Sequence, residues 1–167
     1  APLAPGLLPF ARQRVPTTEL ARQPLPGTHV LLVENERCLH LLPQPLAGCV
    51  AILGAGLNLV WLADAPWLQQ RRLAYWGDID TWGLHMLARA RSHLPQLQAL
   101  LMDRATFDAH AKYAVAEPVH ANASPGLRPD ESVLDAHLRQ QLQGRLEQEF
   151  LPAPLVTRTI SQWASSP

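Results

Sequence analysis

The sequence predicts an α/β fold built on a parallel sheet, and three observations lead there. Short runs that are apolar on both faces alternate with longer helical stretches, and each run ends in a Gly or an acid. Of 167 residues, 47% are apolar and 17% charged, enough to bury one core but not two large ones. The runs are His29–Val33, Cys49–Leu53, Leu73–Trp76 and Leu97–Met102, about four strands flanked by helices, with right-handed crossovers as the default.

Before the first strand, Ala1–Gly27 carries six of the sixteen prolines. Proline fixes φ and removes a backbone donor, so this stretch reads as a linker or wrapped arm, with Thr17 and Thr18 able to cap one short helical turn. A helical stretch, Asn58–Gln70, joins the second and third strands. Trp82–Leu94 follows the third strand, with Leu84, Leu87, Ala88 and Arg91 at helical spacing and Pro95 as its stop. Residues 121–129 form a turn-rich loop. Pro129-Asp130-Glu131 opens a helix with Asp130 as N-cap. Its stripe of Val133, Leu134, His137, Leu138, Leu142 and Leu146 runs to about Phe150, with Gly144 as a break. Residues 151–167 read as a tail. The expected division is 1–27 arm, 28–120 catalytic core, and 121–167 C-terminal loop, helices and tail.

Fourteen Lys and Arg balance fourteen Asp and Glu, so bulk positive charge is excluded as a route to nucleic acid and any DNA contact must be local. Cys38 and Cys49 lack the paired spacing of a disulfide framework or zinc site, which fits a reduced, cytoplasmic setting. No stretch approaches the roughly 18 apolar residues of a membrane span. With no initiator Met and no basic n-region, the chain reads as the C-terminal piece of a longer protein.

Ligands of open α/β sheets collect beyond the carboxyl ends of the strands, so the acids there matter most. The first run leads into Glu34-Asn35-Glu36, the third into Gly77-Asp78-Ile79-Asp80, and the fourth into Asp103. On an extended backbone Asp78 and Asp80 point to one side and Ile79 to the other. Such a pair, with Glu34 as third, suits a hard divalent cation, and without one the acids would raise one another's pKa. Asp80 is also placed to cap the helix that follows. Other motifs are weaker. Gly54-Ala55-Gly56 lacks the third glycine of a dinucleotide loop, the seven histidines are scattered, and no Ser sits at a strand end. Lys112 is the only lysine. Arg37, Arg71, Arg72, Arg89, Arg91 and Arg104 are expected near the active edge, where Arg suits phosphate.

These residues resemble a known group. Glu34 after a first strand, with Asp78-x-Asp80 after a later one, is similar to the Toprim domain of topoisomerases, primases and nucleases. The stretches Val33–Glu36, Tyr75–Leu84, Leu100–Asp103 and Arg145–Glu149 more closely resemble the C-terminal domain of the Wadjet plasmid-defence nuclease subunit, itself similar to the topoisomerase VI A subunit. The resemblance spans about Thr17 to Phe150 and implies a Toprim-like Rossmannoid sheet with a C-terminal helical segment. It implies Glu34, Asp78 and Asp80 as catalytic ligands of Mg²⁺ or Mn²⁺, with Glu36 and Asp103 supporting them from behind. The implied activity is cleavage of double-stranded plasmid DNA in the bacterial cytoplasm, as a homodimer working with an SMC-type motor complex. Neither Tyr75 nor Tyr113 sits where a topoisomerase nucleophile would, so attack by water is expected. Two other classes compete. Asp78-Ile79-Asp80-Thr81 copies part of the opening of a haloacid dehalogenase-like phosphatase. A non-catalytic scaffold could dock a motor complex through Trp61, Trp67, Trp76, Trp82 and Trp163.

Overall fold

A computed structural model describes residues 1–54 and 59–166. Strands β1 (His29–Val33), β2 (Cys49–Leu53), β3 (Arg72–Trp76) and β4 (Gln98–Ala99) form one parallel sheet in the order β2-β1-β3-β4. The both-face apolar runs have the expected cause: Val30–Val33 and Leu73–Trp76 are buried between layers, with Leu31 and Ala74 fully enclosed. Helix α1 (Thr17–Arg22) lies in the Pro-rich arm. The arm packs on the outer edge of the sheet, where Pro2 bridges Val50 antiparallel and Leu3 is buried. An extended segment thereby covers the otherwise open edge of β2.

Helix α2 (Thr81–His93) follows β3, buries Leu84, Met86, Leu87 and Ala90, and stops before Pro95 as the spacing predicts. Its last turn is tied to α4 (Pro129–Leu138) by a buried ion pair. Arg91 Nη1 and Nη2 donate to the two oxygens of Glu131 at 2.5 and 2.8 Å.

Elsewhere the structure departs from expectation. The second connection is two short 3₁₀ turns, Val60–Asp64 and Pro66–Gln70, rather than one helix. Pro66 lacks an N–H and keeps Ala65 out of the helical region, so the ladder breaks between them. Strand β4 keeps only two residues; Leu100 makes one further bond to Tyr75 O, and the chain then turns at Leu101, whose φ is 61°. An unexpected helix, α3 (Arg104–His110), then begins at Asp103.

Helix α4 ends at Leu138, not near Phe150. The chain turns, leaves Leu142 94% exposed, and returns as antiparallel bridges pairing Arg145 with Val115 and Leu146 with Ile79. Its N-cap is Arg128, not Asp130: with Pro129 in the first turn, the Glu131 carboxylate reaches back to the Arg128 N–H at 2.8 Å. The expected tail is helix α5 (Ala153–Ser165), whose Val156, Ile160 and Trp163 are buried at i, i+4, i+7 spacing. Pro152 and Pro154 sit at its start, where a missing N–H costs nothing. Trp61, Trp67, Trp76 and Trp163 are core residues and only Trp82 is exposed, which removes the expected tryptophan docking surface.

Candidate functional site

In the order β2-β1-β3-β4, the chain leaves β1 toward one side of the sheet and later enters β3 on the other. The carboxyl ends of β1 and β3 therefore flank a topological switch point, the crevice where such sheets bind ligands. Glu34 and Asp78 stand at that crevice. The Glu34 N–H donates to Trp76 O at 3.0 Å, joining the two strand ends, and Glu34 Oε2 accepts from the Asp78 N–H (3.2 Å) and the Tyr75 hydroxyl (3.1 Å). This close approach needs glycine at 77, since a Cβ there would overlap Glu34 Oε2 and the Tyr75 ring. At Gly83 a Cβ would strike the Asp78 carbonyl, so a second glycine lets the first turn of α2 fold back on the acidic loop.

Ile79 is buried and bridges Leu146, which sends its neighbours to the other side. There one guanidinium meets both aspartates. Arg145 Nε lies 3.3 Å from Asp80 Oδ2, and Arg145 Nη2 lies 3.7 Å from Asp78 Oδ2 and 2.8 Å from Glu147 Oε1. The remaining oxygens are fixed by backbone: Asp78 Oδ1 accepts from the Gln148 N–H at 2.8 Å, and Asp80 Oδ1 from the Gly83 N–H at 2.6 Å. Asp80 is thus both the N-cap of α2 and a member of the cluster. Gln148, fully buried, ties the strands together. Its Oε1 accepts from the Asn35 N–H at 2.8 Å and its Nε2 donates to Trp76 O at 3.2 Å. Behind Asp80, Glu117 accepts from the Thr81 hydroxyl at 2.6 Å and from the Thr81 N–H.

The electrostatics follow from burying acids faster than cations. Burial, then the charges of Asp78 and Asp80, push Glu34 up to about 7 against the pull of its two hydrogen bonds. Burial raises Asp80 to about 6, opposed by the Gly83 N–H and Arg145 and reinforced by Asp78 and Glu117. Asp78 is also raised by burial, opposed by the Gln148 N–H and Arg145. The Tyr75 hydroxyl is held well above its ordinary value by full burial and by Glu34. In that state the phenol keeps its proton and donates it to Glu34 Oε2 in a hydrogen bond.

The structure brings Glu34, Asp78 and Asp80 together and leaves Glu36 and Asp103 outside. Glu36 is half-exposed and pairs with Arg12 at 3.0 Å and Arg14 at 3.9 Å on the arm. Asp103 caps α3 by accepting from the Thr106 N–H at 2.7 Å. Several expected arginines are elsewhere. Arg71 and Arg72 are at the amino end of β3, Arg91 is in the buried pair, and Arg104 pairs with Asp108 on α3. His85 meets Ser124 Oγ at 2.6 Å. Ala55 and Gly56 of the glycine motif lie outside the described residues, as does Asn58. The roles of Arg145, Glu147 and Gln148 are not legible in the sequence, where they continue the helical stripe of α4, and Glu117 sits in a loop without periodic signal.

By donor chemistry the set is of the kind a hard divalent cation takes: it is all oxygen, its two aspartates are buried, and it is richer in acid than base. In the present side-chain arrangement no three His, Cys, Asp or Glu groups among the described residues form a ready metal cage. The guanidinium of Arg145 stands against both aspartates instead. A family model described as Wadjet protein JetD, C-terminal, matches residues 1–160. Comparison with curated proteins finds no match.

Proposed function

The chain belongs to the Wadjet JetD C-terminal family and is thereby a component of a Wadjet anti-plasmid system. On that premise we propose that it supplies the system's DNA-cutting centre, a Toprim-type, Mg²⁺- or Mn²⁺-dependent nuclease site made by Glu34, Asp78 and Asp80. The observation that carries this reading is that two buried aspartates and the half-buried Glu34 stand at the switch point of the sheet, with the Oδ2 atoms of Asp78 and Asp80 turned to the one guanidinium of Arg145. A bound divalent ion would polarise the scissile phosphate and lower the pKa of an attacking water. The chain's own residues prepare for this. The Gln148 and Gly83 N–H groups hold one oxygen of each aspartate and leave the other for the ion. The Tyr75 hydroxyl and the Asp78 N–H aim Glu34 at the same crevice.

With net charge zero, the chain has little counterion release to draw on, so grip on DNA falls to partners. We assign that role to the SMC-type motor of the system, and a second copy of this chain to the opposite strand. The phosphatase reading gains no support, since Lys112, the only lysine, lies over the Tyr113 ring at 4.8 Å. In the complete assembly, Glu34→Ala is expected to abolish plasmid cleavage while DNA loading continues. Cleavage at the wild-type rate would exclude Glu34 and overturn the reading.

A further inference from the structure

Among the described residues, two arginines are in contact with buried carboxylates, and they are built differently. Arg91 places its fork squarely on Glu131, with two hydrogen bonds to one carboxylate. Arg145 spreads its guanidinium across three acids. Its Nε is buried and makes no hydrogen bond, although Asp80 Oδ2 is 3.3 Å away, and its link to Asp78 is 3.7 Å long. A planar fork matches a single carboxylate or phosphate in two parallel bonds, and here it matches neither aspartate. Its shortest contact is to Glu147, 2.8 Å away on its own segment.

The backbone beneath it is fixed. Arg145 and Val115 exchange hydrogen bonds of 3.0 and 2.8 Å, and Leu146 and Ile79 exchange bonds of 3.0 and 2.9 Å. Any movement therefore belongs to the side chain, which is 37% exposed and has a path to solvent. Among the described residues it is the only cation paired with Asp78 or Asp80. A divalent ion that took those Oδ2 atoms would repel it, while Glu147 would keep it at the rim of the crevice.

From this geometry, and resting on the nuclease reading above, we propose that Arg145 is a substrate-contacting residue that shares its seat with the metal. Without metal it neutralises Asp78 and Asp80. Once a divalent ion occupies the aspartates, its fork turns outward to the non-bridging oxygens of the phosphodiester being cut. The substrate class is thus a phosphodiester held between an ion on the aspartates and a guanidinium on Glu147.

The test compares wild type, Arg145→Gln and Arg145→Lys with Asp78→Asn as the reference. Mn²⁺ affinity is read by calorimetry on this chain, and single-turnover plasmid cleavage in the complete assembly. Arg145→Gln keeps much of the stem and a hydrogen-bonding end, and its fold is checked by melting. If the seat is shared, Arg145→Gln binds Mn²⁺ roughly tenfold more tightly than wild type, because a competing charge is gone, yet cleaves far more slowly. Arg145→Lys keeps the charge, so its Mn²⁺ affinity stays near wild type and part of the cleavage returns. Unchanged affinity and cleavage in a folded Arg145→Gln would overturn the proposal, and so would a loss of Mn²⁺ affinity. If Asp78→Asn binds Mn²⁺ as wild type does, the nuclease reading fails; if only Asp78→Asn weakens binding, the metal site stands and the role of Arg145 falls.

Discussion

Helix α2 carries a buried charge cluster at each end, and the two are opposites. At its C-terminal end, Arg91 and Glu131 saturate each other. At its N-terminal end, Asp78, Asp80 and Glu147 share the guanidinium of Arg145, while Glu34 adds its charge from the end of β1 and Glu117 from behind Thr81. The first cluster is balanced and leaves its carboxylate with three donors, including the Arg128 N–H. The second has charge to spare, and burial first, then the neighbouring carboxylates, raise the pKa of its members. A fold has no need to bury surplus acid, which costs stability. The contrast sets a balanced pair that serves the scaffold against an unbalanced cluster, the one to which we assign a divalent ion.

The largest expected effect breaks the acidic end. Asp78→Asn with Asp80→Asn should lower Mn²⁺ affinity by more than about 100-fold, beyond the range for residues that only support a ligand. Calorimetry on the folded protein checks it. Breaking the balanced end should do the reverse. Arg91→Ala leaves Glu131 buried and unpaired and should cost about 3–5 kcal/mol in urea unfolding. The Mn²⁺ affinity of the folded protein should not change.

A sharper contrast comes from proton linkage. Glu34 and Asp80 have raised values when folded, so the folded chain binds their protons more tightly than the unfolded chain does. Metal-free stability should be greatest at low pH and fall as pH rises toward about 7, while Mn²⁺ affinity climbs across the same window. Glu34→Gln removes the surplus charge but can still accept from the Tyr75 hydroxyl and the Asp78 N–H. At pH 8 it should gain on the order of 1 kcal/mol of metal-free stability. A pH-independent melting temperature would contradict this. The smallest effects concern the two acids outside the cluster. Asp103→Ala should cost about 1 kcal/mol as a lost cap, and Glu36→Ala less than about 0.5 kcal/mol. Neither should alter Mn²⁺ binding.

The sheet and the acids at its strand ends are legible in the residues alone. Strands β1 and β2 begin and end where their apolar runs do, and β3 starts one residue earlier, because a strand buried on both faces leaves a local signature of unbroken apolar residues. The Asp-x-Asp pair is legible for the same reason: alternation along an extended chain is set by neighbours in sequence. How the acids are held and neutralised emerges only from the packed chain. The segment from Arg145 to Gln148 reads as a continuation of a helix until the chain turns beyond Leu138 and pairs with Ile79 and Val115. Only then does Arg145 meet Asp78 and Asp80, and Gln148 clamp the ends of β1 and β3 from more than 70 positions away. Glu36 and Asp103 show the converse, for their place in the chain matches that of a ligand while the fold turns one to the arm and the other to a helix cap. Strand propensity and side-chain alternation are local quantities, whereas the counter-charge of a buried acid comes from whichever distant segment packs against it.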